Sequence, residues 1–193
     1  MMLVATILAM FLQATTPVVV VFETSAGIFE VQVDATHAPI TAANFLKYVD
    51  DGAYDNGYFH RTVRPDTETN TETPIQVIQA SRAQGVKGYP AIPLERTSVT
   101  GLKHLAGTIS MARSTSPDSA SSDFFVCVTD TPSLDFAGPR NPDGQGFAAF
   151  GRVVSGMDVI TKIQASPTRS DAAGRPSQTL APRIAIVKAY RKK

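Results

Sequence analysis

The stretch that decides the fold is residues 107–128, which read GTISMARSTSPDSASSDFFVCV. Its two ends are short, apolar and β-like, and the polar, serine-rich residues between them predict a loop. Successive side chains of a strand point to opposite faces. Asp123 and Phe125 therefore share one face of the second strand, whereas Phe124 points the other way. We expect Phe124 to lie in the protein interior and Phe125 to line an outer groove.

The rest of the chain continues this pattern of short β-like segments joined by turns. Residues 28–33 alternate well enough to place Phe29, Val31 and Val33 on one face of a strand. About eight strands are predicted in all, and they occupy residues 18–22, 28–33, 58–63, 75–80, 107–111, 124–128, 148–154 and 184–190. Many short strands with turn-rich connections indicate a mainly β fold, a closed antiparallel barrel, because closure removes exposed strand edges.

Two segments follow a helical pattern instead. Pro39 suits the first turn of a helix, which we expect to end at Gly52. A second helix is predicted over residues 156–164, with Val159 and Ile163 on its buried stripe.

Length and net charge limit the number of domains and the kinds of partner that the protein can have. A chain of 193 residues suits one domain. A formal net charge of +1 gives no excess of positive charge for binding nucleic acid. The basic tail Arg191-Lys192-Lys193 is interpreted as solvated. We therefore expect no nucleic-acid partner. We also expect a monomer.

The N-terminal residues form an uncharged apolar run from Met1 to Gln13. A transmembrane helix needs about 20 residues, so the run is too short to span a bilayer. It resembles the core of a signal peptide that ends near Ala14, which predicts a periplasmic or secreted protein with no stable membrane insertion after cleavage. The run lacks a positively charged start, so a mis-assigned start or an uncleaved apolar arm stays open; the protein is then cytoplasmic.

Several chemistries have little support in the sequence. Cys127 is the only cysteine, so an internal disulfide is excluded, and its apolar neighbours indicate a small buried side chain. His37, His60 and His104 lie far apart without ligand-spaced partners, and no serine nucleophile elbow occurs. We expect no metal and no cofactor.

Four short motifs in fixed order carry the functional signal, and each places a polar or aromatic group on a β-rich segment. They are Tyr58-Phe59-His60-Arg61, Gln79, Gly107-Thr108-Ile109-Ser110-Met111-Ala112-Arg113 and Asp123-Phe124-Phe125-Val126. Their order and spacing closely resemble the cyclophilin family of peptidyl-prolyl cis-trans isomerases, in particular its bacterial branch. The resemblance covers residues 18–190 and implies an eight-stranded barrel capped by two α-helices.

The resemblance also implies a chemistry. Rotation about a peptide bond faces a barrier of about 18–20 kcal/mol, because the nitrogen shares its lone pair with the carbonyl. A hydrogen-bond donor aimed at the proline nitrogen stabilises only the twisted amide, because the nitrogen becomes basic only there. Such a donor therefore lowers the barrier to rotation. Arg61 is our candidate donor, since the family's principal catalytic residue is the arginine of Phe-His-Arg. Taken alone, such an arginine more often belongs to a surface ion pair. Gln79 is expected to orient Arg61 or to hold the substrate carbonyl.

The same resemblance implies a set of substrate-binding residues. They are Phe59, His60, Val77, Met111, Ala112, Arg113, Asp123, Phe125, Leu134 and Phe147. Among them, Phe125 is expected to contact the proline ring, Met111 to close the pocket floor, and Leu134 and Phe147 to form its far wall. For each apolar member taken singly, core packing is the more common explanation.

Several positions depart from the family pattern. Gln76 stands where many cyclophilins have a pocket aromatic, and Asp123 replaces a neutral glutamine. Two interpretations of Asp123 stay open: a salt bridge to Arg61 or Arg113 that weakens peptide binding, or a preference for substrates with a positive charge near proline. Ser133 replaces the tryptophan that vertebrate cyclophilins use for cyclosporin, which predicts weak or no cyclosporin binding.

The sequence thus predicts an isomerase of Xaa-Pro bonds in unfolded or exported proline-containing polypeptides. An alternative is a non-catalytic peptide-binding or chaperone module on the same barrel. Gln76 and Asp123 keep that alternative open, whereas Arg61, Gln79 and Phe125 argue against it.

Overall fold

The structure, a computed structural model, describes residues 17–193. The predicted signal peptide, residues 1–14, lies outside the described residues. None of the helices in the described range is long and apolar enough to cross a bilayer.

The described chain forms a closed β-barrel. Its nine strands are β1 (Val18–Thr24), β2 (Gly27–Val33), β3 (Tyr58–Val63), β4 (Val77–Ser81), β5 (Thr108–Met111), β6 (Phe124–Cys127), β7 (Ala148–Ser155), β8 (Thr168–Ser170) and β9 (Pro176–Arg191). Eight of these follow the order β1-β2-β7-β5-β6-β4-β3-β9, and an antiparallel β1–β9 pairing closes the ring. The short β8 is attached to β9 alone. The predicted closed, eight-stranded antiparallel barrel is confirmed.

Three α-helices lie within residues 17–193, namely α1 (Pro39–Asp50), α2 (Thr97–Thr100) and α3 (Met157–Gln164). Pro39 occupies the first turn of α1, as predicted, and the helix packs against β7 and β9. The second predicted helix corresponds to α3, which packs against β2, β3 and β4. The single turn of α2 was not predicted.

The barrel interior is filled mainly by aromatic and branched side chains, which we call the interior cluster; its largest members include Phe22, Phe29, Phe45, Phe59 and Phe124. Phe22 stacks on Phe29 with ring centroids 4.9 Å apart, and Phe124 meets Phe45 edge-on at 5.8 Å. The predicted alternation of β2 is confirmed, since Phe29, Val31 and Val33 are all buried.

A second, smaller group of apolar side chains lies on the outside of β4 and β6. This outer cluster consists of Val63, Ile75, Val77, Phe125, Cys127 and Leu134, with Ala112 and Phe147 packed against it. Cys127 is fully buried there, and burial raises the pKa of its thiol to about 12. Its predicted place as a small buried side chain is confirmed.

The largest difference from the predicted elements is at the C-terminal strand. β9 begins at Pro176 rather than at residue 184, and it pairs with β8, a strand that was not predicted. Pro176 and Pro182 look like breaks because proline cannot donate to a strand ladder. Pro182 falls where the pairing of β9 with β3 is irregular, between Thr179 and Ile184, so no regular ladder bond is lost.

Candidate active site

Three neighbouring strands bring three of the predicted residues side by side. Arg61 on β3 is paired with Gln79 on β4, and Gln79 is paired with Phe125 on β6. Paired residues of an antiparallel sheet project from the same face. All three therefore project from the outer face of the barrel.

A bulge at His60 is what turns Arg61 outward. The register shifts between Phe59, which pairs with Ala80, and Arg61, which pairs with Gln79. In a regular strand Phe59 and Arg61 would share a face, but one extra residue reverses the side on which the next residue projects. Phe59 is therefore fully buried in the interior cluster. Its expected place among the substrate-binding residues is wrong.

The outer face carries a cavity of about 230 Å³. The predicted site residues that line it are Arg61, Val77, Gln79, Ala112, Arg113, Phe125, Leu134 and Phe147. The rings of Phe125 and Phe147 meet edge-on, with centroids 5.4 Å apart. The cavity thus combines one apolar wall, which suits a proline ring, with a polar side.

Arg61 is held by two neutral amides. Its Nη1 donates to Gln79 Oε1 at 3.0 Å, and its Nε and Nη2 both donate to Gln178 Oε1, at 2.9 and 2.7 Å. Gln178 is itself anchored, because its Nε2 donates to the carbonyl of Thr67 at 3.1 Å. Within residues 17–193 Arg61 forms no ion pair. The interpretation of Arg61 as half of a surface ion pair is therefore wrong.

Burial and a neighbouring positive charge both lower the pKa of Arg61. Burial lowers the pKa of the Arg61 guanidinium, the positive charge of Arg140 lowers it further, and the carboxylate of Glu68 opposes the shift. Arg61 is thus a partly dehydrated cation, held rigidly and pointed at a cavity.

A buried histidine supports the aromatic wall from below. The ring of His104 stacks on Phe125, with centroids 5.9 Å apart and planes 15° from parallel. His104 Nδ1 lies 2.7 Å from Asp135 Oδ1, and His104 Nε2 lies 3.0 Å from Ser110 Oγ. Burial alone would raise the pKa of Asp135, but the hydrogen bonds and charge of His104 outweigh it and leave the pKa lowered. Ser110 is fully buried, so this array holds Phe125 in place and presents no accessible nucleophile.

Two other predicted residues lie away from the cavity. Met111 belongs to the interior cluster, since it alternates with Ser110 on β5 and so faces inward; its expected role as pocket floor is wrong. His60, at the bulge, is partly buried, and its Nδ1 lies 3.3 Å from Ser81 Oγ rather than in the cavity.

Asp123 lies in a neighbouring hollow that shares Gln79, Ala112 and Arg113 with the cavity. Its carboxylate accepts hydrogen bonds from Ser81 Oγ at 2.8 Å and from Ser122 Oγ at 3.2 Å. The expected salt bridge to Arg61 or Arg113 is not formed in the described structure. The other interpretation, a preference for positively charged substrates, stays a prediction.

Four residues of the site were not predicted. Ile75, Arg140 and Asn141 line the cavity, and Gln178 holds Arg61. Ile75 was detectable, because it alternates with Val77 and Gln79; it supplies apolar surface here, whereas Gln76 accepts a hydrogen bond from Gln164. The other three gave no local signal.

Residues 19–189 match the family model described as cyclophilin type peptidyl-prolyl cis-trans isomerase/CLD. Peptidyl-prolyl cis-trans isomerase A of Dickeya dadantii is 37% identical over 159 residues, which cover 81% of this chain and 76% of that protein. Peptidyl-prolyl cis-trans isomerase B of Escherichia coli is 34% identical over 156 residues, which cover 77% of this chain and 85% of that protein.

Solved structures give the same fold. A cyclophilin type peptidyl-prolyl cis-trans isomerase of Cryptosporidium parvum superposes with a TM-score of 0.67 at 20% identity, covering 92% of this chain and 99% of that one. A second structure of that protein, in the presence of the dipeptide Ala-Pro, has a TM-score of 0.67 at 21% identity.

Proposed function

The chain belongs to the cyclophilin-type peptidyl-prolyl cis-trans isomerases and is an enzyme of that class, and we propose that it acts by hydrogen bonding from Arg61 to the twisted Xaa-Pro amide. The two isomers of an Xaa-Pro bond differ by only about 0.5–1 kcal/mol, so both are populated and their slow exchange limits folding. The enzyme therefore has to lower a barrier without favouring either isomer.

The observation that carries the proposal is the double amide support of Arg61. Gln79 and Gln178 occupy three N–H groups of the guanidinium from two sides, which fixes its plane. The remaining N–H groups are available to a substrate nitrogen. A donor positioned in advance needs no reorganisation when the twisted amide forms, so it lowers the barrier rather than merely binding the ground state.

The substrates we propose are proline-containing polypeptides. The proline ring would pack against Phe125, Val77, Leu134 and Phe147, and its nitrogen would face Arg61. We further propose weak or no binding of cyclosporin, since Ser133 offers little surface to that ligand.

We also propose that the protein is exported, on the basis of the uncharged apolar residues 1–13 and the small Ala14. Intact-mass analysis from an exporting host tests this proposal. We expect a shortened species, and a species that begins at Met1 would contradict export.

The role of Arg61 is tested by cis-trans exchange of a short Ala-Pro peptide, measured by NMR with native protein, Arg61→Ala and Arg61→Lys. We expect Arg61→Ala to lower kcat/KM by about 10²–10³-fold, as for loss of one transition-state donor. Arg61→Lys should stay well below native, because an ammonium has no planar fork to engage both amides.

A matched control is Arg152→Ala, which removes an exposed arginine from β7, a strand that does not line the cavity. Native exchange rates are expected for it. Equal acceleration by native protein and Arg61→Ala would show that Arg61 is not the donor.

A further inference from the structure

The loop between β3 and β4, residues 64–76, contains a buried carboxylate that does not line the cavity. The side chain of Glu68 is only 4% exposed, although Asp66 and Thr69 beside it in the loop are exposed. Burying a charge costs free energy unless the charge is paired and hydrogen-bonded. The partners of Glu68 therefore indicate what its burial achieves.

Glu68 folds this loop onto itself. Its Oε1 accepts a hydrogen bond from the backbone N–H of Asn70 at 2.8 Å, and its Oε2 accepts one from the backbone N–H of Ile75 at 3.1 Å. Burial alone would raise the pKa of Glu68, but these hydrogen bonds and the charge of Arg140 outweigh it and leave the pKa lowered. Glu68 is therefore an ionised carboxylate that fixes the shape of the loop.

The same carboxylate ties the loop to Arg140, which lies in the loop before β7. Arg140 Nη1 donates to Glu68 Oε2 at 3.0 Å and to the carbonyl of Thr73 at 2.8 Å. Arg140 and Ile75 both line the cavity. Glu68 thus holds one end of the cavity from behind its wall.

Glu68 also shares a peptide group with the carbonyl that anchors Gln178. The carbonyl of Thr67 accepts from Gln178 Nε2 at 3.1 Å, and Gln178 Oε1 accepts from Nε and Nη2 of Arg61. The N–H of the Thr67–Glu68 peptide group, which belongs to Glu68, donates to the carbonyl of Arg64 at 2.8 Å. Because both the side chain and the N–H of Glu68 are held, the direction of the Thr67 carbonyl is set. The plane of the Arg61 guanidinium follows from it.

The charge of Glu68 acts on the same arginine. Arg61, Arg113 and Arg140 line the cavity, and no carboxylate among the described residues does. Burial and the charge of Arg140 lower the pKa of Arg61, whereas the carboxylate of Glu68 raises it. A neutral side chain in place of Glu68 would leave Arg140 without its balancing charge and would increase its repulsion of Arg61.

We propose that Glu68 is a positioning residue of the isomerase, which holds Arg61 in its working orientation through the Thr67 carbonyl and Gln178 and offsets the charge of Arg140. This role rests on the proposed function of Arg61 as hydrogen-bond donor to the twisted amide. A donor held in advance lowers the barrier more than a donor that must be reoriented in each turnover. Glu68 should therefore affect kcat more than KM.

The test is Glu68→Gln, which keeps the shape of the side chain and removes its charge. NMR exchange of an Ala-Pro peptide at several concentrations gives kcat and KM. We expect kcat to fall about tenfold with a smaller rise in KM. The Nε–H resonance of Arg61 should shift or broaden as the guanidinium loses its fixed position. An unchanged kcat, or an Arg61 resonance with native shift and width, would overturn the proposal.

A double variant shows whether Glu68 acts through Gln178. Glu68→Gln combined with Gln178→Met should lose clearly less kcat than the product of the two single losses, because both substitutions interrupt the same support of Arg61. Losses that multiply would mean that the two residues act independently, and the proposed path through Gln178 would be wrong.

The matched control is Asp34→Asn. Asp34 is also a loop carboxylate that accepts hydrogen bonds from its own loop, from the backbone N–H groups of Thr36 and His37 at 3.2 and 2.9 Å. It does not line the cavity. Native kcat and KM are expected for this variant, and a tenfold loss like that of Glu68→Gln would contradict a specific role for Glu68.

Arg61→Ala separates failure of this role from failure of the proposed function. If Arg61→Ala loses the acceleration but Glu68→Gln keeps native kcat, only the role of Glu68 is wrong. If Arg61→Ala keeps the native rate, the donor assignment fails and the role of Glu68 fails with it. If Glu68→Gln does not fold, Glu68→Asp decides instead, because it keeps the charge but draws it away from Arg140 and the loop backbone. A native kcat in Glu68→Asp would then overturn the proposal.

Discussion

Strand β6 places two adjacent phenylalanines in two different environments. Phe124 joins the interior cluster and meets Phe45, Tyr54 and Phe59 edge-on. Phe125 joins the outer cluster, between the ring of His104 and the ring of Phe147. Both side chains are almost completely buried, so burial alone does not distinguish a structural aromatic from a functional one.

The surroundings of the two clusters make that distinction. The interior cluster is enclosed by the barrel strands and by the helices α1 and α3. The outer cluster is bordered by polar groups from distant parts of the chain, among them Gln178 and Arg140. Removing an interior side chain should therefore cost stability, and removing a bordering polar group should cost activity.

The largest expected effect comes from Phe124→Ala compared with Phe125→Ala. Truncating Phe124 should destabilise the protein by about 3–5 kcal/mol, because it leaves a cavity in a packed core. Phe125→Ala should cost less stability but most of the activity, because the apolar wall for proline is lost. Urea unfolding and NMR exchange measure the two quantities. Equal stability losses and equal specific activities of the folded variants would erase the distinction between the clusters.

A smaller effect is expected for Gln178→Met, which keeps the length of the side chain but removes the acceptor for Arg61. The loss of a hydrogen bond to a charged group, worth about 1.5–3 kcal/mol, predicts a decrease in kcat of about tenfold or more. KM should change little, because Gln178 positions Arg61 without lining the cavity. The neighbouring variant Ser177→Ala is the control. A rise in KM at constant kcat would contradict the positioning role.

The smallest effect concerns His60, at the bulge between the two environments. Burial lowers the pKa of His60, Asp123 opposes the shift, and Arg183 and Arg61 add to it. The unfolded chain therefore binds a proton first as the pH falls below about 6.5. Stability supplied by the neutral ring is present above that pH and is lost as the pH falls toward the folded-state pKa. His60→Gln should show a shallower loss of unfolding free energy between pH 7 and 5 than native protein, and an identical slope would contradict the assignment.

Much of the fold was predictable because alternation is a local property. The faces of β2 and the opposite directions of Phe124 and Phe125 follow from a period of two residues. The same rule fails at His60, where the bulge sends Phe59 inward and Arg61 outward. A bulge of this kind leaves no compositional mark in the sequence.

The parts of the site that were missed come from distant segments of the chain. Gln178 lies on a strand whose two prolines hid its first half, and it reaches Arg61 across 117 positions of sequence. Arg140 lies in a polar loop, and its contacts with Glu68 and with the carbonyl of Thr73 hold it beside the cavity. Neither residue belongs to a local pattern.

The sequence by itself determined the closed barrel, the family and the short motifs that carry Arg61, Gln79 and Phe125, because alternation and motif spacing are written in neighbouring residues. Only the tertiary structure decided which side of the barrel Phe59 and Met111 occupy, what holds Arg61, and how positive the cavity is. These depend on a strand bulge and on loops that meet through space, and sequence distance carries no information about such contacts.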